Sequence, residues 1–113
     1  MINLYDRNLV AYKKEKTLNS FGGYNEDISD EVVFKAYTED INDTEKYGDF
    51  GVDIYYDLKL VVSRGKIKNY KKLNYVVIDE EEYRIIKKNK YRLGNKEHIE
   101  MIVGLEVISI ETD

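Results

Sequence analysis

Residues 74–108 read NYVVIDEEEYRIIKKNKYRLGNKEHIEMIVGLEVI, and their rhythm decides the fold. A short apolar run, Tyr75–Ile78, meets a polar turn at Asp79-Glu80-Glu81, and a tyrosine-led strand, Glu82–Lys88, follows it. A Lys/Asn/Gly-rich connection then leads into a long last strand in which Ile99, Met101, Val103, Leu105 and Val107 hold the odd positions. Successive side chains of a strand point to opposite faces, so this alternation describes a ribbon with one buried side and one mostly wet side.

The same period recurs upstream. Val52–Ser63 sets Val52, Ile54, Tyr56, Leu58, Leu60 and Val62 opposite Asp53, Tyr55, Asp57 and Lys59. The even face is expected to be the buried one, its side chains contributing on the order of 10 kcal/mol before entropy is subtracted. Glu31–Ile41 reads as a strand with Val32, Phe34, Ala36 and Thr38 on one face, and Arg7–Lys14 reads as a first strand. Between them Glu15–Asp30 keeps no period and is rich in Gly, Asn, Ser and Asp, which predicts a long loop. Phe21-Gly22-Gly23-Tyr24 at its centre gives two aromatic rings on a glycine hinge, and loops of this length in compact domains generally bind something or order on assembly. Asn42–Gly51 reads as a turn-rich connection carrying Asp43, Glu45, Tyr47 and Asp49. Arg64–Leu73 reads as a basic connector with a short helical turn; Met1–Asp6 is too short to classify, and Ser109–Asp113 reads as a tail. Five or six strands without an amphipathic helix indicate one all-β domain over residues 1–113, a small antiparallel barrel or sandwich. Closing the sheet would hide the long edges that otherwise invite aggregation.

Composition narrows the function. Eleven tyrosines against three phenylalanines suit half-buried sheet positions, where the ring packs and the hydroxyl reaches water. Without cysteine there is neither a disulfide nor a thiolate metal site. No apolar run is long enough to span a bilayer and the N-terminus lacks a signal-peptide core, so a chain without a membrane partner is expected. The net charge of −4 hides a segregation: Glu26–Asp57 holds eleven acidic residues and two lysines, whereas Leu58–Lys96 holds twelve basic residues and four acidic ones. Such halves form either a solvated surface or a subunit whose acidic side docks on the basic side of a neighbour, a heterologous contact that can close into a ring.

Catalytic equipment is missing. His98, the one histidine, shares a strand face with Glu100, which is half of a metal site at most; a surface or rim position is expected. The acidic stretch from Asp40 has Glu45 and Gly51 where a calcium loop needs glycine and glutamate. Asp79–Glu82 reads as a solvated turn rather than a carboxylate pair with one raised pKa. No phosphate-cradling loop or nucleophile elbow occurs. A non-enzyme without cofactor is expected. Two basic groups, Arg64, Lys66, Lys68, Lys71 and Lys72 around Tyr70 and Arg84, Lys87, Lys88, Lys90 and Arg92 around Tyr91, allow single-stranded nucleic-acid binding by stacking on a small OB-like barrel. The acidic overall charge favours a solvated face or a protein contact.

From Val32 onward the chain resembles the small head–tail connector proteins of tailed bacteriophages, the head-closure (stopper or adaptor) family. The matching pieces are Val33-Phe34-Lys35-Ala36-Tyr37, Val76-Val77-Ile78-Asp79 with Glu82-Tyr83-Arg84-Ile85-Ile86, and His98-Ile99-Glu100-Met101-Ile102-Val103. The chain departs from the pattern where Asp79-Glu80-Glu81 replaces an Asp-Gly turn and where a proline-containing stretch is missing, which leaves a tail-completion or tail-terminator protein open. The resemblance implies a hexameric or dodecameric ring, made in the host bacterial cytoplasm and carried in the virion at the head–tail junction. Portal and adaptor proteins would lie above it and tail proteins below, with packaged DNA retained and later passed without sequence-specific binding. Phe21–Tyr24 and Asp43–Asp49 would then be subunit-contact or channel loops. Arg64, Lys66, Lys68, Lys71, Lys72, Lys87, Lys88, Lys90 and Arg92 would form a basic contact surface.

Overall fold

A computed structural model describes residues 7–49 and 52–109, and side chains within 7–41 and 57–105. Six antiparallel strands close into a barrel: β1 (Arg7–Leu18), β2 (Tyr24–Asp49), β3 (Val52–Arg64), β4 (Tyr75–Ile78), β5 (Glu81–Leu93) and β6 (Lys96–Ser109). Their order around the wall is β1-β2-β3-β6-β5-β4, and three residue pairs, Val10–Val77, Ala11–Val76 and Tyr12–Tyr75, shut the seam between β4 and β1. Asn74 fastens that seam. Its side chain accepts from the Lys14 N–H (2.7 Å) and donates to the Lys14 carbonyl (2.9 Å), while its backbone donates to Tyr12 and accepts from Ile85.

The lumen holds Leu9, Ala11, Phe34, Ala36, Val61, Val76, Ile78, Tyr83, Ile85, Ile99, Met101 and Val103 in one cluster. A barrel of so few strands is filled by its own side chains. The odd positions of β6 and the even positions of the middle of β2 face inward, as the alternation predicts. β3 does not follow. Its inward residues are Val61 and Ser63, paired with Met101 and Ile99, so Leu58, Leu60 and Val62 lie on the outer face. Leu58 and Val62 are still buried, but this even face does not build the main core, to which β3 contributes Val61. Val52, Ile54 and Tyr56 lie outside the described side chains.

The structure overturns the long loop at 15–30. β1 and β2 run on as a two-stranded ribbon to the pair Leu18–Tyr24, joined by a tight turn. Its residues are exposed on both faces, so no burial pattern marked it in the sequence. A bulge between the Ala11 and Lys13 pairings inserts an extra residue into β2, with Asp30 at φ 57. Up to the bulge Val32, Phe34 and Ala36 face inward; beyond it Ile28, Glu26 and Tyr24 share the outer face. Residues 42–49, expected as a connection, likewise continue β2 and pair with β3. A second bulge at Ile86 shifts the phase of β5, which runs through the expected Lys/Asn connection to Leu93.

Arg64–Leu73 is basic with a helical turn, as expected, but it also plugs the barrel. The 3-10 turn Tyr70–Lys72 is flanked by the buried Ile67 and Leu73. Met1–Asp6 and most of the expected tail, 110–113, lie outside the described residues.

Candidate functional site

Strand polarity assigns the surface features to two ends of the barrel. At the upper end β1, β3 and β5 finish and β2, β4 and β6 begin; this end carries the β1–β2 ribbon, the basic connector and the β5–β6 turn. The lower end carries the β4–β5 turn and the far part of the β2–β3 hairpin. The two candidate loops therefore do not converge: Phe21–Tyr24 is above, and the backbone of Asp43, Glu45, Tyr47 and Asp49 is below on β2. The side chains of those four residues lie outside the described ones.

The ribbon tip is an ordered turn. The Asn19 carboxamide oxygen accepts from the Phe21 N–H (2.9 Å) and the Gly23 N–H (3.0 Å), and the Asn19 N–H donates to the Gly23 carbonyl (2.9 Å). Gly22 sits at φ +81, a conformation that side-chain-bearing residues resist. This frame holds Phe21 95% exposed. From Lys13 outward the ribbon leaves the barrel wall, since β1 pairs with β4 only over Val10–Tyr12. Leu18, Tyr24 and Ile28, all exposed, share its outer face, and the Lys16–Glu26 ion pair (3.8 Å) lies between them. The sequence hinted at this face only through apolar residues inside a polar stretch.

At the ribbon's root, Glu82 is gripped from two sides. Tyr12 donates its hydroxyl to Glu82 Oε2 and the Lys14 ammonium binds Oε1, while Lys14 lies 4.2 Å above the Tyr75 ring. Burial pushes the Glu82 carboxyl up, but the hydrogen bonds from Lys14 and Tyr12 outweigh it and hold the group below its ordinary range. Burial likewise opposes the charge on Lys14, yet the Glu82 hydrogen bond keeps its ammonium above the usual value. Burial and the same carboxylate push the Tyr12 phenol well up. Glu82 is thus not part of the solvated turn expected at Asp79–Glu82; the other three carboxylates are exposed.

The basic residues divide. Arg64, Lys66, Arg92 and Lys96 ring an open cleft of about 450 Å³ at the upper rim, with Glu97 among them. Arg92 (3.3 Å) and Lys90 (3.6 Å) pair with Glu97 Oε1. Burial raises the Glu97 carboxyl, but the Arg92 hydrogen bond and the charges of Lys90, Lys66 and Arg92 bring it below the usual range. Lys68, Lys71 and Lys72 are exposed on the connector. Lys87 faces outward beside Ile102, whereas Lys88 turns toward the plug and donates to the Lys71 (2.6 Å) and Leu73 (2.8 Å) carbonyls. Burial alone depresses the Lys88 ammonium, so this residue is a structural tie and not a contact cation. His98 is also not the rim residue expected: it is 7% exposed, its ring stacked 5.3 Å from that of Tyr91. Among the described residues no three His, Cys, Asp or Glu side chains gather as a metal site, and no helix is long and apolar enough to cross a membrane.

These features define a closed six-stranded barrel with an aromatic ribbon and a basic rim at one end. No family model matches the chain, and no curated protein matches its sequence. Among solved structures it is similar to a chain in the virion of the native gene transfer agent (GTA) particle. That match has a TM-score of 0.62 at 14% identity, over 93% of this chain and 97% of the other. At that identity the likeness is one of fold.

Proposed function

We propose that this protein is a structural component of a phage-like virion, and that it acts as a ring-forming head-closure subunit joining the portal complex to the tail. The observation that carries the reading is the fold it shares with a virion chain along nearly the whole length of both. The surface agrees with a contact role. Four of its exposed apolar residues, Leu18, Phe21, Tyr24 and Ile28, sit on an ordered projection, and among the described residues Lys90 and Arg92 at the basic rim are paired with Glu97. The protein works by touching other subunits, not by turning over a substrate, and needs no cofactor. In this reading it is made in the host bacterial cytoplasm and ends in the virion, where packaged DNA passes it without sequence-specific contact. A tail-completion subunit would use the same surfaces at a neighbouring position.

Single-stranded nucleic-acid binding is disfavoured at the rings it would need. Tyr91 is stacked on His98, and Tyr70 is packed against the core with Lys90 over its ring. Bases stack on open aromatic faces beside cationic grooves. Two measurements test the proposal. Imaging of the particle should place the subunit at the portal–tail junction, and a position elsewhere overturns the head-closure role. Labelled single-stranded DNA at low salt should bind weakly; tight binding that salt abolishes and that Tyr91→Ala weakens would favour the nucleic-acid barrel.

A further inference from the structure

We propose that the β1–β2 ribbon of one copy docks along the outer face of β5–β6 of the next copy, and that this is the contact which closes the ring. The inference rests on the ring reading above and names the surfaces that make it.

The donor is a built element. Leu18, Tyr24 and Ile28 form an exposed apolar row on one face of the ribbon, with Phe21 at the tip. Apolar rows of this kind in water mark contact surfaces. The Asn19 turn fixes them in advance, so little conformational freedom is lost on docking.

The acceptor follows from register. After the Ile86 bulge, Lys87, Asn89, Tyr91 and Leu93 share the outer face of β5, opposite Ile102, Glu100, His98 and Lys96 of β6. This strip contains exposed Leu93 and a shallow groove of about 440 Å³ with Ile102 and Lys87 in its lining. Its charge complements the donor. Over the whole ribbon, residues 13–31, five acidic residues stand against three lysines, whereas residues 84–100 hold six basic residues and two acidic ones, Glu97 and Glu100. Complementary potentials of this sort set register and orientation at interfaces.

Placement joins the two. In the closed order β1-β2-β3-β6-β5-β4 the ribbon occupies the first two places, and β6 and β5 the fourth and fifth, so donor and acceptor lie on opposite sides of the barrel. Both reach toward the same, upper end. A subunit with unlike, complementary patches on opposite flanks at one level is what a head-to-tail ring requires.

The chain has no cysteine, so a single substitution gives a unique thiol. Tyr24→Cys and Leu93→Cys, both at exposed positions, are mixed at about 1 mM, where even weak contacts are populated, and treated with a short bismaleimide. Covalent dimers should form in the mixture about tenfold above either variant alone, because a heterologous contact joins unlike patches. The double variant should give a ladder ending in one closed species. Glu26→Lys in the donor should abolish the product, and Lys87→Glu with Lys96→Glu in the acceptor should restore it. Dimers equally abundant in each single variant overturn the proposal in favour of an isologous contact. Rings in electron micrographs without the 24–93 product overturn the contact and leave the ring reading standing. No product from a protein that sediments as a monomer overturns it too, and imaging of the particle then judges the ring reading separately.

Discussion

Glu82 shows how one side chain connects the barrel wall to its projection. It sits on β5 and holds Tyr12 and Lys14 of β1, directly below the point where the ribbon leaves the wall. A carboxyl held below its unfolded value contributes stability that is complete above that value, here 4.5, and is lost as the pH falls through the lower folded one. Lys14 and Tyr12 act on the other side: their folded values are raised, so their share is complete below the unfolded values and is lost as the pH rises through the folded ones. Glu82→Gln should therefore lower the urea midpoint by a constant amount from about pH 5 to pH 9, and the gap to the parent should shrink below about pH 4. A gap that stays open at pH 3 would mean that the glutamate acts through packing rather than charge.

At the scale of elements, the two ordered turns differ in how well their residues suit them. Asp79 and Glu80 both take positive φ, 50 and 67, in the two-residue turn between β4 and β5. Such turns favour glycine at the second place, and a residue with a Cβ is disfavoured there by about 1 kcal/mol. Glu80→Gly should thus raise stability by about 1 kcal/mol, read from the urea midpoint. The Asn19 turn is the opposite case, being fully furnished. Asn19→Ala should speed amide exchange at Phe21 and Gly23 while leaving the melting temperature nearly unchanged, because the ribbon stands outside the barrel. A large fall in melting temperature would show the ribbon to be integral to the core.

Legibility followed burial. β4, the middle of β2 and β6 could be read because one face of each is dry, and Ile99, Met101 and Val103 are inside as their period predicts. The ribbon could not be read, since a two-stranded element wet on both faces leaves no period. β3 misled because its apolar even face is the outer one and its inward face mixes Lys59, Val61 and Ser63, so the stronger alternation marked the outer wall. The basic residues of 64–96 were legible as a charge group, but not the fact that Lys88 is spent on tying down the plug and that the Tyr91 ring is stacked on His98.

For the whole molecule, the tight lumen makes stability depend on a few side chains. Val61, Leu73, Val76, Ile78, Ile99, Met101 and Val103 are the largest that are fully enclosed. Met101→Ala should cost about 2–5 kcal/mol, a large part of what a domain of this size has, measured by urea unfolding. A loss below about 1 kcal/mol would mean that the wall collapses around the gap. The filled lumen, with Ile67 and Leu73 packed into it and the connector bolted by Lys88, also decides where anything could travel. No thread of nucleic acid can run through such a unit, so a conduit built from these proteins must be the hole they surround. Its bore is then a matter of how many copies stand in the circle and how far each leans, and a change at a flank can widen or narrow it while every barrel stays the same.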